Sequence, residues 1–208
     1  ALTGFSLFGI STGGPTSIAY IIKHPELVTH LILYGSFADG TRLAPDEVKA
    51  SFLSFIRSAW GLGSKALVDL MIPGADAETR AWFAHLQQES ASAEMAAALM
   101  ETNYRYTVTE LLSKLDLPTV VIHRRDEIAV RLSRARELAA GIPNANFVVL
   151  EGTSNMPFLE DAESVLGAIA TFFGDPIPTS YESALAEASL GERRLATVLF
   201  TDIVDSTK

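Results

Sequence analysis

The chain has no cysteine. Disulfides, zinc thiolates and a cysteine nucleophile are therefore excluded, and the lack fits a cytoplasmic protein. Positive charge is scarce: 16 Lys and Arg stand against 25 Asp and Glu, for a net charge of −9. That balance argues against a nucleic-acid-binding surface. No stretch reaches the roughly 18 consecutive apolar residues of a membrane helix, so no membrane segment is expected. Nothing at the start has the basic flank and small-residue cleavage site of a signal peptide. The sequence shows no internal repeat and no low-complexity tract.

What is present is globular in kind. Of 208 residues, 48% are hydrophobic and 20% charged, which suits one large domain or two small ones. The acidity has one local exception: Arg124, Arg125, Arg131, Arg134 and Arg136. Their spacing reads as a solvated helix face with its entry loop.

Along the chain, "FSLFGI" reads as a buried strand that ends in the sharp turn "STGG". "PTSIAYIIKH" then carries apolar residues at helical spacing, and "VTHLILYG" is a second strand. This β-turn-α-β unit predicts a parallel sheet. From about 44 to 114 the pattern is helical only: "APDEVKASFLSFIRSAW", "SKALVDLMI", "DAETRAWFAHLQQES" and "SAEMAAALMETNYRY". Asp76 is placed to cap the third of these, with Thr79 in its first turn. A helical block between strands suggests a cap over a site. The sheet resumes with "PTVVIH", the helix "RLSRARELAAGI", the strand "NFVVL" and a last helix in "FLEDAESVLGAIATFFG". "DPIPTSYESALAEASLGE" reads as a linker, and "RRLATVLFTDIVDSTK" opens a new strand.

"GISTG", residues 9–13, fits G-x-S-x-G between a strand and a helix. In that motif the turn is tight, and Gly9 and Gly13 are expected to let neighbouring backbone come close. Ser11 is then held in a strained conformation with its hydroxyl above the sheet. The N–H of Thr12 and the helix N-terminus would face a developing oxyanion.

"FSLFGISTGGPTSIAYIIKHPELVTHLILYGSFADG" resembles the nucleophile-elbow region of the α/β-hydrolase fold, and more narrowly the hydrolase-like domains of multidomain bacterial regulators. "LPTVVIHRRDEIAV" and "FVVLEGTSNMPFLED" extend the resemblance, which covers roughly residues 1–174 with a helical cap at about 41–114. It implies a mostly parallel sheet flanked by helices. It also implies earlier strands, and the loop giving a second oxyanion donor, upstream of residue 1, so the chain is expected to begin inside the fold.

The same resemblance places the triad acid in a pattern like H-R-R-x-D-x-A-V-P. "HRRDEIAVR" puts Glu127 there, with Asp126 one residue earlier and Arg131 in place of proline. Glutamate can serve as a triad acid. The base belongs in a pattern like L-E-G-x-D-H-x-P. "LEGTSNMP" puts Asn155 at the histidine position and Ser154 where aspartate is usual. An amide has no nitrogen that titrates near neutral pH, so Asn155 cannot take the proton of Ser11. Of the four histidines, His24, His30 and His123 suit structural or surface roles. His85, in the cap, is the one that could overhang Ser11.

"RRLATVLFTDIVDSTK" resembles the first strand of class III adenylate/guanylate cyclase domains. The resemblance implies that Asp202 is a metal-binding carboxylate with the Ile203 carbonyl beside it. The ions would be Mg²⁺ or Mn²⁺, the substrate a nucleoside triphosphate and the assembly a homodimer. The expectation is therefore a fragment, truncated at both ends, of a bacterial cyclic-nucleotide signalling protein. Residues 1–174 would form part of an α/β-hydrolase-like domain, 175–192 a linker and 193–208 the start of the cyclase. The hydrolase-like domain needs no cofactor and would bind a small-molecule or acyl ligand under its cap without turning it over. The alternatives are an active ester hydrolase using Ser11, and a structural domain with a filled pocket. A sheet cut within the fold would leave an open apolar edge, and stable folding of the fragment alone is not expected.

Overall fold

A computed structural model of the chain describes residues 4–175. Most of the linker and the whole cyclase-like strand, with Asp202 and Ile203, lie outside the described residues. The chain runs through β1 (Phe5–Ile10), α1 (Gly13–Lys23), β2 (Val28–Tyr34), α2 (Asp46–Ser58), α3 (Trp60–Met71), α4 (Ala77–Ser90) and α5 (Ala93–Arg105). It continues through β3 (Thr119–Arg124), α6 (Leu132–Gly141), β4 (Asn146–Leu150) and α7 (Ala162–Phe173). The four strands form one parallel sheet in the order β1-β2-β3-β4.

Side chains alternate across a strand, so β2 serves two cores. Leu31 and Leu33 point to the layer of α1 and α6, where they meet Ile18, Ile21, Ala135 and Leu138. Ile32 and Tyr34 point the other way, toward Val165 and Ile169 of α7. With both faces covered, β2 and β3 can be apolar throughout, which is why they read as continuous hydrophobic runs. Each such fully buried side chain stabilises the fold by about 1.5–3 kcal/mol. At the sheet's edge the alternation fails to bury everything: Phe8 of β1 is 40% exposed.

The helical block 46–105 sits between β2 and β3. Helices α2 and α5 pack through Ile56, Ala96 and Ala97. Arg57 of α2 pairs with Glu94 and Glu101 of α5. Asp76 caps α4 as expected, accepting from the Thr79 N–H at 2.8 Å and its hydroxyl at 3.1 Å. Val68, Ile72 and Ala84 pack against Met156 and Leu159 of the loop after β4. The block thus touches the loop that carries Asn155.

Two helix boundaries differ from the sequence expectation. α3 starts at Trp60, ahead of "SKALVDLMI". One of its glycines is used for packing: a Cβ on Gly63 would stand 3.2 Å from the Ile56 Cα, so glycine lets α2 and α3 approach. α7 starts only at Ala162, because Asp161 caps it by accepting from the Ser164 N–H at 3.0 Å. Just before it the backbone turns back at Glu160, whose φ is 62°.

The basic group is also not one solvated face. Arg124 is fully buried at the end of β3. Arg125, Arg131 and Arg136 are exposed and Arg134 is half-buried, paired with Glu137. Arg124 continues the strand alternation and so points inward.

Candidate functional site

The site lies beyond the carboxyl ends of the strands, where parallel sheets place their ligands. Ser11 directly follows β1, Glu127 lies in the turn after β3 and Asn155 in the loop after β4. Ser11 has φ 50°, a left-handed conformation that is strained for a non-glycine residue. It is held there from β2: its N–H donates to the Tyr34 carbonyl at 2.8 Å, and its carbonyl accepts from the Ser36 hydroxyl at 2.8 Å. Helix α1 begins two residues later. Among the described residues the Ser11 hydroxyl makes no hydrogen bond and the Thr12 N–H has no acceptor. The strained serine with a free N–H beside it at a helix start is the geometry expected of "GISTG".

The roles of the glycines differ from expectation. Gly9 is needed: a Cβ there would stand 2.9 Å from both the Gly14 Cα and the Ser17 Oγ. Gly13 is not, since a Cβ would meet nothing within 4 Å. The close approach falls instead on Gly14, where a Cβ would overlap the Ser36 side chain. The helix turns Gly13 outward and Gly14 onto β2. The second glycine of "STGG" was the available signal.

Glu127 and Asn155 are brought together. The Asn155 Nδ2 donates to Glu127 Oε1 and, at 3.0 Å, to the Gly35 carbonyl. Its main-chain N–H donates to the Met71 carbonyl at the end of α3, 2.7 Å away. Gly35 has φ 55°, and a Cβ on it would lie 2.6 Å from the Asn155 Nδ2. Only glycine lets the chain turn there and leaves room for residue 155. Asp126 is exposed, whereas Glu127 is buried and also accepts from the Val130 N–H at 3.2 Å. Ser11 is not hydrogen-bonded to either partner. It shares with them the Tyr34–Ser36 turn, which it grips from one side and Asn155 from the other.

Burial pushes the Glu127 carboxyl up to about 8, against the opposing pull of its bonds to Asn155 and Val130 and the charge of Arg124. At neutral pH it is mostly a neutral acid. Burial likewise drives His123 down to about 4. Its Nε2 lies 2.9 Å from the Val130 carbonyl, which can only accept, so the ring hydrogen is on Nε2. Three buried atoms here have no hydrogen-bond partner among the described residues: His123 Nδ1, Glu127 Oε2 and Asn155 Oδ1.

No histidine stands in for the base. His123 is buried against Val130. His24 ends α1, and His30 packs edge-on against Phe172 and Phe173. His85 lies on the exposed side of α4, 3.9 Å from Glu89. Chemically, both hydrogens of the Asn155 amide are committed, and nothing at that position can accept the serine proton and return it.

Grooves on the described surface include one of about 410 Å³ between α3 and α4, one of about 510 Å³ along α2 and one of about 280 Å³ beside the end of α1. None of them is lined by Ser11, Glu127 or Asn155. Ser11 itself is half-exposed. No group of three or more metal-ligating side chains occurs among the described residues. Among them, too, no helix is long and apolar enough to cross a membrane.

No protein-family model matches the chain. An AB hydrolase superfamily protein of Bacillus subtilis, YisY, is 26% identical over 178 residues, covering 80% of this chain and 65% of that protein. The esterase EaEST of Exiguobacterium antarcticum superposes with a TM-score of 0.72 at 18% identity, covering 82% of this chain and 66% of that one. A bromoperoxidase of Bacillus anthracis gives a TM-score of 0.76 at 16% identity, covering 84% and 68%. The chain therefore spans about two thirds of the length of the proteins it matches. A parallel four-stranded sheet flanked by helices, with a strained serine at the end of its first strand, gives this chain part of an α/β-hydrolase fold.

Proposed function

We propose that this hydrolase-like domain is a ligand-sensing regulator with little or no ester hydrolysis, joined to a class III nucleotide cyclase. One observation carries the first half: Asn155, where the resemblance puts the base, has its two amide hydrogens held by Glu127 and Gly35. Binding requires shape and a few polar groups, not a base. Ser11, the free Thr12 N–H and the start of α1 can still receive a carbonyl oxygen. The ligand class is an acyl ester or a related neutral carbonyl compound, by analogy with the fold's esterases.

The second half is supported by "RRLATVLFTDIVDSTK". In it, Asp202 and the Ile203 carbonyl would hold Mg²⁺ or Mn²⁺, which would steady the nucleoside triphosphate. A homodimer in the cytoplasm would form the working cyclase.

The test, on the intact protein that carries the whole cyclase domain, is cyclic nucleotide formation from ATP and from GTP with Mn²⁺, with and without methyl butyrate. The expected result is a saturable change in rate of about fivefold or more, the usual scale of coupling between sites, with the ester recovered intact. Consumption of the ester would contradict the regulator, an unresponsive rate the acyl ligand, and absence of cyclic product the cyclase.

A further inference from the structure

We infer that Arg124 is a positioning residue: its buried guanidinium fastens the 151–161 loop to the ends of β2 and β3 and so fixes where Asn155 stands. The inference rests on reading Ser11, Glu127 and Asn155 as one site.

The loop after β4 folds inward, and its carbonyls need donors away from water. Arg124 supplies them from the end of β3, with no exposed surface. Its Nη1 donates to the Glu151 carbonyl at 2.7 Å, and its Nη2 to the Asp161 carbonyl at 2.8 Å. The two ends of the loop are thereby held by one side chain. Its Nε donates to the Tyr34 hydroxyl at 2.9 Å, and that hydroxyl donates in turn to the Ser154 carbonyl at 2.8 Å. Ser154 directly precedes Asn155.

The charge is balanced within the same loop. Glu160 lies 3.4 Å from the Arg124 Nε, and its carboxylate accepts from the N–H groups of Thr153 and Ser154 at 3.0 and 3.1 Å. Gly152 has φ 113°, and a Cβ there would stand 3.1 Å from both Cδ and Nη1 of Arg124. Glycine is what lets the loop close over the guanidinium. A planar fork of donors fits this spread of acceptors, and the single ammonium of a lysine does not.

The test is hydrogen exchange of the Asn155 side-chain amide by NMR in the full-length protein, for Arg124→Lys and Tyr34→Phe. Wild type holds both Nδ2 hydrogens in buried bonds, so their exchange is slow. Arg124→Lys keeps a cation but loses the fork, and is expected to speed that exchange by about tenfold or more. Tyr34→Phe should do so to a lesser degree. The amides of Leu33 and Val121 in the sheet should keep their protection in both. If Arg124→Lys does not fold, Tyr34→Phe carries the same pattern alone. Unchanged exchange at Asn155 would overturn the inference. So would equal loss at Asn155, Leu33 and Val121, which would make Arg124 a general stabiliser. Neither result depends on whether the site hydrolyses esters, so failure here is separable from failure of the proposed function.

Discussion

Asn155→His is expected to raise hydrolysis of p-nitrophenyl butyrate by about 100-fold or more, the lower end of what a positioned general base supplies. The parts around position 155 are already in place. Glu127 is within hydrogen-bond reach of the side chain, Gly35 leaves room beside it and the Met71 carbonyl holds its backbone. An imidazole there would donate one ring N–H to Glu127 and leave the other nitrogen free to take the Ser11 proton. The imidazolium formed would favour an ionised Glu127, undoing the effect of burial. Activity in the variant should rise with pH through the imidazole range and vanish when Ser11→Ala is added. A folded Asn155→His protein with no gain would place Ser11 out of reach of residue 155. A gain that survives Ser11→Ala would place the chemistry elsewhere.

Glu127→Gln is expected to stabilise the protein at alkaline pH and to change little near pH 5. The buried carboxyl titrates near 8, against 4.5 when unperturbed. Between those values the folded chain keeps a proton that the unfolded chain has lost, so stability falls as pH rises through the window. The full shift corresponds to about 5 kcal/mol, an upper bound. His123 acts in the opposite sense: it titrates near 4 against 6.5, and its stabilisation is lost as pH falls through that range. From 4.5 to 6.5 the two slopes cancel, and from 6.5 to 8 Glu127 acts alone. Urea unfolding of both proteins at about pH 5 and about pH 8.5 isolates the carboxyl. The expected result is a variant more stable by a few kcal/mol at the higher pH only. A constant difference would mean that Glu127 is ionised throughout.

Local features of this fold were legible because one strong term set each. The strands at 5–10, 28–34 and 146–150 and the Asp76 cap follow from apolar runs and one side-chain hydrogen bond. The serine turn followed from its motif, and its φ of 50° fits the strain expected there. The pairing of Asn155 with Glu127 came from a resemblance over separated segments, which no local periodicity could supply. Features decided by tertiary packing were missed. Arg124 looked like one member of a basic surface because nothing nearby in sequence tells that three distant carbonyls and one hydroxyl surround it. Gly14 and Gly35 are required by side chains of Ser36 and Asn155 that only the folded sheet brings near.

The most direct measurement is the initial rate of p-nitrophenyl butyrate hydrolysis by the protein beside its Ser11→Ala variant at neutral pH. On the proposed reading of Asn155 as standing where the base would be, the two rates should be equal and close to the uncatalysed reaction. A wild-type rate well above that of Ser11→Ala would show that Ser11 is activated, and would contradict the reading of this site as one that binds without turnover.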